Sequence, residues 1–416
     1  MSPDSAPRSG TRRRAMAAIV AQGTQAVGGL VIQVVAARSL GTSGLGAFGL
    51  LYGTVVLATA ITAGIVGDSM TVLNRHDHSV RAALQNWLVL ISTVCAIAGC
   101  VVTWATGFAD VRAALAFGAA MFFFLIEDTL RRLLMATLMF WRIIAIDLAS
   151  LVAMVAVLIF APKVTMTWLF LALTAGQASA IAVGACILPQ SERWLARPFP
   201  AKHGTVVAYG SWRSLQQAVF PSLLALTRVV VIGILGLAAA GQLEAARIYS
   251  APALLPVMGI GGFMFASYAL ARAEPMHSAL RSADKGTLAL VLGIVILSIC
   301  AVIAIPLIGP LMTGQHISAL TVIGWLLFTL GVAAFTPYAS LAAVRGMQAT
   351  VLVVSVAHSL LSLALAAVLA YVVGSVEWVP FGLAIGSFAG VLAMRGYILR
   401  PKRYSDRQAD AKVTLS

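Results

Sequence analysis

Twelve long apolar runs follow one another along this chain, at roughly 15–37, 44–67, 85–106, 113–137, 143–161, 168–188, 206–236, 243–270, 286–308, 319–341, 349–373 and 379–399. A helix needs about 20 such residues to cross the bilayer core. Composition supports that reading: 60% of the 416 residues are apolar and only 10% are charged, where a soluble domain carries about 25%. There is too little polar surface to cover even one soluble domain. The expected fold class is an all-α polytopic membrane protein with about twelve spans.

The formal net charge of +14 would suggest a nucleic-acid partner in a soluble protein. Here the basic residues report orientation instead, because cytoplasmic loops collect Lys and Arg. With the amino terminus inside, twenty-two of the 28 basic residues fall on the inner side. Arg38, Arg112, Lys163 and Arg247 fall on the outer side, and Arg213 and Arg228 lie within span seven. Both termini are expected in the cytoplasm and no nucleic-acid partner is expected. Residues 1–14 read as a disordered basic tail; Thr11-Arg12-Arg13-Arg14 loosely resembles a twin-arginine signal, but the apolar run that follows is too long for one. The outer loops are short. The Pro-rich stretch 189–205 lies on the inner side and separates two six-helix lobes, 15–188 and 206–399, with a second basic tail at 400–416. An offset of 195 residues maps Leu40-Gly41 onto Leu235-Gly236, Gly46 onto Gly241, Gln22 onto Gln217 and Gln33 onto Arg228. The two halves therefore enter the membrane in the same orientation, as parallel repeats do.

Several chemistries find no footing. No G-x-x-x-x-G-K-[ST] run is present, so no P-loop hydrolyses ATP. No H-E-x-x-H appears, and Arg75-His76-Asp77-His78 offers too few ligands for a metal, so solvated loop residues are the plainer reading. Cys95, Cys100, Cys186 and Cys300 sit in apolar runs and read as small buried hydrophobes, without disulfides or zinc. No cofactor is expected.

Charged and amide side chains inside a bilayer are costly, at about 2.5–3.5 kcal/mol for a central charge, and so mark candidate sites. Span one carries Gln22, Gln25, Gly29 and Gln33 on one helical face. They line a wet cavity or hydrogen-bond neighbouring helices. Span seven carries Arg213, Gln216, Gln217 and Pro221 at a similar spacing, beside Trp212; Arg213 lines a cavity or snorkels toward the inner surface. Span four contains Glu127, Asp128, Arg131 and Arg132. Glu127–Arg131 and Asp128–Arg132 are spaced i, i+4 and read as self-neutralised pairs or as a cluster gating the inner mouth. Asp68 and Asp147, at inner helix ends, are expected to cap or pair. His358 reads as a hydrogen-bonded interhelical residue or a proton relay. Gly382, Gly386 and Gly390 form a doubled G-x-x-x-G that lets a helix approach closely. Pro252, Pro256, Pro306, Pro310 and Pro337 predict kinks.

Ala37-Arg38-Ser39-Leu40-Gly41, followed by Gly44, Gly46 and Ala47-Phe48-Gly49, resembles the first-loop signature of polysaccharide (Wzx-type) flippases. These belong to the MOP superfamily, which includes multidrug MATE exporters and the lipid II flippase. Leu235-Gly236 through Gly241, then Ala245 and Tyr249, resembles the matching stretch of the second half. The chain end, from Arg345-Gly346 to Gly390, fits as well. The resemblance implies two MATE-like six-helix lobes around a central cavity. It implies alternating-access movement of an undecaprenyl-diphosphate-linked oligosaccharide to the outer leaflet of a bacterial cytoplasmic membrane, for surface polysaccharide biosynthesis. Polymerases or glycosyltransferases would be partners, beside membrane lipids. Many relatives carry an acid before the basic residue late in span seven, whereas Thr227 precedes Arg228 here.

A cationic-drug exporter needs carboxylates in its cavity, yet spans one and seven contain no Asp or Glu. Guanidinium groups suit diphosphate oxygens. The expected substrate residues are Arg213, Arg228, Arg38 and Arg247, with Gln22, Gln25, Gln33, Gln216, Gln217 and Trp212 along the sugar path. Glu127, Asp128, Arg131, Arg132 and Asp68 are the expected gating or ion-coupling group. A membrane polymerase or ligase needs a sizeable outer loop, so an enzyme is not expected. A MATE-like multidrug exporter and a non-transporting scaffold for glycan-synthesis enzymes are the alternatives.

Overall fold

Each apolar run forms one membrane-length helix in the computed structural model, which describes residues 8–137, 139–193, 195–271 and 274–400. Arg272 and nearly all of the 400–416 tail lie outside the described residues. The helices are α1 (Arg8–Ser39), α2 (Gly41–Val72), α3 (His78–Ala105), α4 (Val111–Ala136), α5 (Phe140–Phe160) and α6 (Met166–Ile187). Then follow α7 (His203–Leu235), α8 (Leu237–Leu270), α9 (Met276–Thr313), α10 (Ala319–Val344), α11 (Gln348–Val373) and α12 (Val376–Ile398). No strand occurs among the described residues. The fold class read from the sequence is the observed one. Helix α1 begins at Arg8, within the stretch 1–14 read as a basic tail, and residues 1–7 lie outside the described residues.

Local chemistry sets the helix ends. The Asp77 carboxylate accepts the Ser79 amide at the start of α3, and Asp110 accepts the Ala113 amide at the start of α4, which satisfies donors that a helix start leaves free. Gly41 and Gly236 adopt φ +67° and +88° between α1 and α2 and between α7 and α8. A side chain would strain both turns, so the repeated Leu-Gly pair is a structural repeat as well. Pro252 lies in a 3-10 turn at Ala251–Leu254 inside α8, and Pro256 follows at the start of the α-helical stretch Leu255–Leu270. Pro221, Pro306, Pro310 and Pro337 lie within continuous helices.

The chain forms two units, Met1–Ala225 and Leu226–Ser416, and the boundary falls inside α7. In the first unit, the early part of α7 lies close against α2. A Cβ on Gly64 would fall 2.2 Å from the Ser214 amide nitrogen, and one on Gly210 would fall 2.6 Å from the Ile65 Cα. Phe48, Phe117 and Phe170 stack in the interior of this unit. In the second unit, α11 and α12 approach through Gly382, Gly386 and Gly390, whose missing side chains make room for Ala366, Ser362 and His358. The expected small-residue packing is observed. His358 Nδ1 is buried and has no hydrogen-bond partner among the described residues, and its ring rests against Phe335. Large apolar side chains such as Val152, Ile159, Phe160, Ile303 and Leu307 face outward, as a lipid solvent favours.

Candidate functional site: ion-paired clusters within the spans

Both units bury arginines against carboxylates supplied by other helices. In the first unit, the carboxyl end of α2 carries Asp68 on the last residue of a π-helical turn, Ala63–Asp68. Such turns re-aim side chains and recur at functional sites. Asp68 Oδ2 accepts from Arg213 Nε at 2.8 Å and from Gln217 Nε2 at 3.1 Å. Arg213 also donates to Gln216 Oε1 at 2.8 Å. Arg132 lies 3.9 Å from Asp68 Oδ1 and donates from Nε to Asp128 Oδ2 at 2.7 Å. Asp128, Arg132, Asp68, Arg213, Gln216 and Gln217 thus form one network joining α2, α4 and α7.

A second set lies alongside on α1, α4 and α5. Arg131 is buried at 3% exposure. It donates to Gln25 Oε1, to the Ala21 carbonyl at 2.7 Å and to Asp147 Oδ2 at 3.5 Å. Thr24 donates to Asp147 Oδ2 at 2.6 Å. This corrects one expected pair. Asp128–Arg132 forms as its spacing predicts, but Arg131 turns from Glu127 to Asp147, sixteen residues away on the next helix. Glu127 is buried, yet among the described residues it has no ion pair within 4.0 Å. It feels Asp128, Arg131 and Asp147 only through space. Four carboxylates (Asp68, Glu127, Asp128 and Asp147) therefore face three guanidinium groups (Arg131, Arg132 and Arg213).

The second unit reverses the balance. Glu244 of α8, 3% exposed, accepts from Arg228 of α7 at 3.0 Å and from Arg247 one turn further along α8. Two guanidinium groups share one carboxylate. Arg247, expected on the outer side where the eighth run begins, lies inside α8 and bends back onto Glu244. Nearer the other end of this unit, Asp284 of α9 takes a two-point contact from Arg395 of α12 at 2.8 and 2.9 Å, and accepts the Tyr338 hydroxyl at 2.9 Å. Arg395 sits in a second π-helical turn, Ala393–Ile398.

The remaining expected residues are dispersed. Gln33 donates to its own helix at the Gly29 carbonyl, while Gln22, Arg38 and Trp212 are exposed. The glutamine stripe of α1 thus splits three ways. Arg213 and Arg228 looked uncompensated in the sequence because α7 carries no acid, but Asp68 and Glu244 reach them from α2 and α8. Glu244 was missed; its i, i+3 spacing to Arg247 was the available signal. Asp284–Arg395 joins residues 111 apart and left no local trace.

The connection between α6 and α7 is tied to the start of α3. Glu192 is buried there and receives Arg75 at 2.8 Å and Arg81 at 2.9 Å. Burial opposes ionisation of this carboxyl, but the Arg75 and Arg81 hydrogen bonds outweigh it and hold its pKa below the usual range. The Lys202 ammonium, 2.8 Å away, with help from Ser79, holds Asp77 well below the carboxylate range. His76 faces Glu192 at 3.8 Å and His78 accepts the Arg197 amide, so the two histidines engage different partners.

No protein-family model matches the sequence, and no curated protein matches it. Solved structures do. An inward-facing multidrug resistance MATE family transporter of the MOP superfamily aligns with TM-score 0.72 at 14% identity, over 94% of this chain and 99% of that one. The fold is that of the MATE and MOP-superfamily transporters. A MATE transporter in the straight conformation aligns at TM-score 0.63 and 12% identity, over 95% of this chain and 96% of that one. A MOP superfamily transporter from Pyrococcus furiosus, for which a reversed binding-pocket polarity suggests a different function, aligns at 0.63 and 13%, over 92% and 93%. With this fold and twelve helices long and apolar enough to span, the chain is a multi-pass membrane protein.

Proposed function

We propose that this chain is a transporter rather than an enzyme, working by alternating access in a bacterial cytoplasmic membrane. Its cargo is an undecaprenyl-diphosphate-linked oligosaccharide destined for surface polysaccharide. The observation that carries this reading is the Arg228–Glu244–Arg247 group. It gathers two guanidinium groups and one carboxylate within a span, where charges are costly unless they have a use. Arginine presents paired donors that suit diphosphate oxygens. Arg213, Gln216, Gln217 and Trp212, with Arg38, Gln22, Gln25 and Gln33, supply further donors and a sugar-stacking face. The Asp68, Glu127, Asp128, Arg131 and Arg132 group serves gating or ion coupling.

A second reading has its own support. The surplus carboxylate of the first unit suits a cationic cargo, as a MATE-like multidrug exporter would carry. Proteoliposomes separate the two. The flippase reading expects movement of a fluorescent polyprenyl-diphosphate glycan, reduced about tenfold or more by Arg247→Gln if one charge-assisted contact worth 1.5–3 kcal/mol is lost. Transport of a cationic dye with no movement of the glycan would replace it with the exporter reading. Movement of neither would leave the scaffold.

A further inference from the structure

We infer that residues 195–199, in the connection between α6 and α7, are a membrane-surface anchor seated in the headgroup layer of an anionic lipid leaflet. The first support is position. The Ala196 amide donates to Gln85 Oε1 at 3.0 Å, and Asn86 Nδ2 donates to the Pro198 carbonyl at 3.0 Å. Gln85 and Asn86 lie seven and eight residues into α3, about 10–12 Å from its start at 1.5 Å per residue. Val89, the first large apolar side chain that α3 exposes, follows within one turn. The connection therefore folds back along α3 to the level where the lipid-facing surface begins.

The second support is what the stretch presents there. Leu195 is 85% exposed and Phe199 is 75% exposed, on a backbone pinned at both Ala196 and Pro198. Held in water, two large apolar side chains would gain nothing from this pinning. At the headgroup boundary they bury into the acyl edge, as interfacial segments do over about 5–10 Å. The third support is charge. Arg193, Arg197 and Lys202 lie in the connection itself and Arg75 and Arg81 join it through Glu192, so five basic residues stand against Asp77 and Glu192. The Arg197 side chain has no hydrogen bond or ion pair among the described residues, only its amide being engaged, by His78. A guanidinium beside lipid phosphates gives that charge a partner, and basic residues at this depth favour anionic lipid. The anchor does not depend on what the protein carries.

The test uses the full chain in nanodiscs, with the four native cysteines replaced by alanine and a fluorophore on Leu195→Cys or Phe199→Cys. His76→Cys, in the loop before α3, is the aqueous control. In phosphatidylglycerol-rich discs, a nitroxide lipid labelled near the headgroup should quench positions 195 and 199 and spare 76, while iodide shows the reverse. Zwitterionic lipid, or Arg197→Gln, should weaken the lipid quenching about fivefold, the worth of one basic residue near an anionic surface. Iodide reaching 195 and 199 as readily as 76 in the anionic discs would overturn the anchor, including in favour of a protein-docking surface. Protection unchanged by lipid charge and by Arg197→Gln would overturn its anionic preference. Both labelled positions are exposed, so substitution there leaves the core intact.

Discussion

Arg131, Arg132, Arg213, Arg228 and Arg247 lie among the apolar helices, and each has a carboxylate within 4.0 Å. Removing one member of such a buried pair leaves a charge without compensation, at about 3–5 kcal/mol. Asp147→Asn strands Arg131 and is expected to lower the thermal midpoint of the purified protein steeply. Glu127→Gln removes the one carboxylate of this cluster that holds no guanidinium, so its midpoint should stay level or rise. A larger loss from Glu127→Gln than from Asp147→Asn would mean that Arg131 serves Glu127 after all. The residue types of this cluster were legible in the sequence because ionisable groups stand out in apolar runs. The pairing was legible only where it is local. Asp128–Arg132 follows the helical repeat, whereas Arg131–Asp147 depends on how α4 and α5 pack.

At the scale of elements, close approach decides more than hydrophobicity, because lipid is as apolar as the helix surface. Gly386 shows the constraint most sharply: a Cβ there would lie 2.2 Å from Ser362 Oγ and 2.5 Å from the Ser362 amide nitrogen. Gly386→Val must force α11 and α12 apart, and overpacking of this kind costs about 1–3 kcal/mol. Gly293→Ala in α9 meets nothing within 4 Å and should be neutral or gain up to about 1 kcal/mol of helix propensity. Thermal melts of the two variants beside the parent check this; equal midpoints would show that α11 and α12 can separate at no cost. All twelve helices and the glycine seam were readable from the sequence. Helix starts were not: α3 begins at His78 and α9 at Met276, well before the apolar runs at 85 and 286. Composition marks the hydrocarbon portion, while backbone hydrogen bonding continues through the polar interface until a cap such as Asp77 stops it.

The whole molecule repeats one plan twice, with a positive-φ glycine between the first two helices of each half. With twelve spans, both ends of the chain are expected on one side. Which side is an electrostatic question, because Lys and Arg close to a span resist translocation. The inner assignment gathers twenty-two basic residues on the side of the termini and leaves Arg38, Arg112, Lys163 and Arg247 for the other. Arg247, already within the eighth apolar run, pairs with Glu244 inside α8 and so counts with the spans rather than with the connections. On that assignment the connection between α6 and α7, with its Arg193, Arg197 and Lys202, is expected in the cytoplasm. A fluorescent protein fused after Ser416 should therefore fold and fluoresce in a bacterial host, and alkaline phosphatase at the same point should be inactive. Phosphatase fused at Lys163, between α5 and α6, should be active. An active phosphatase after Ser416 together with a silent one at Lys163 would invert the molecule, and the basic connection would then face the exterior.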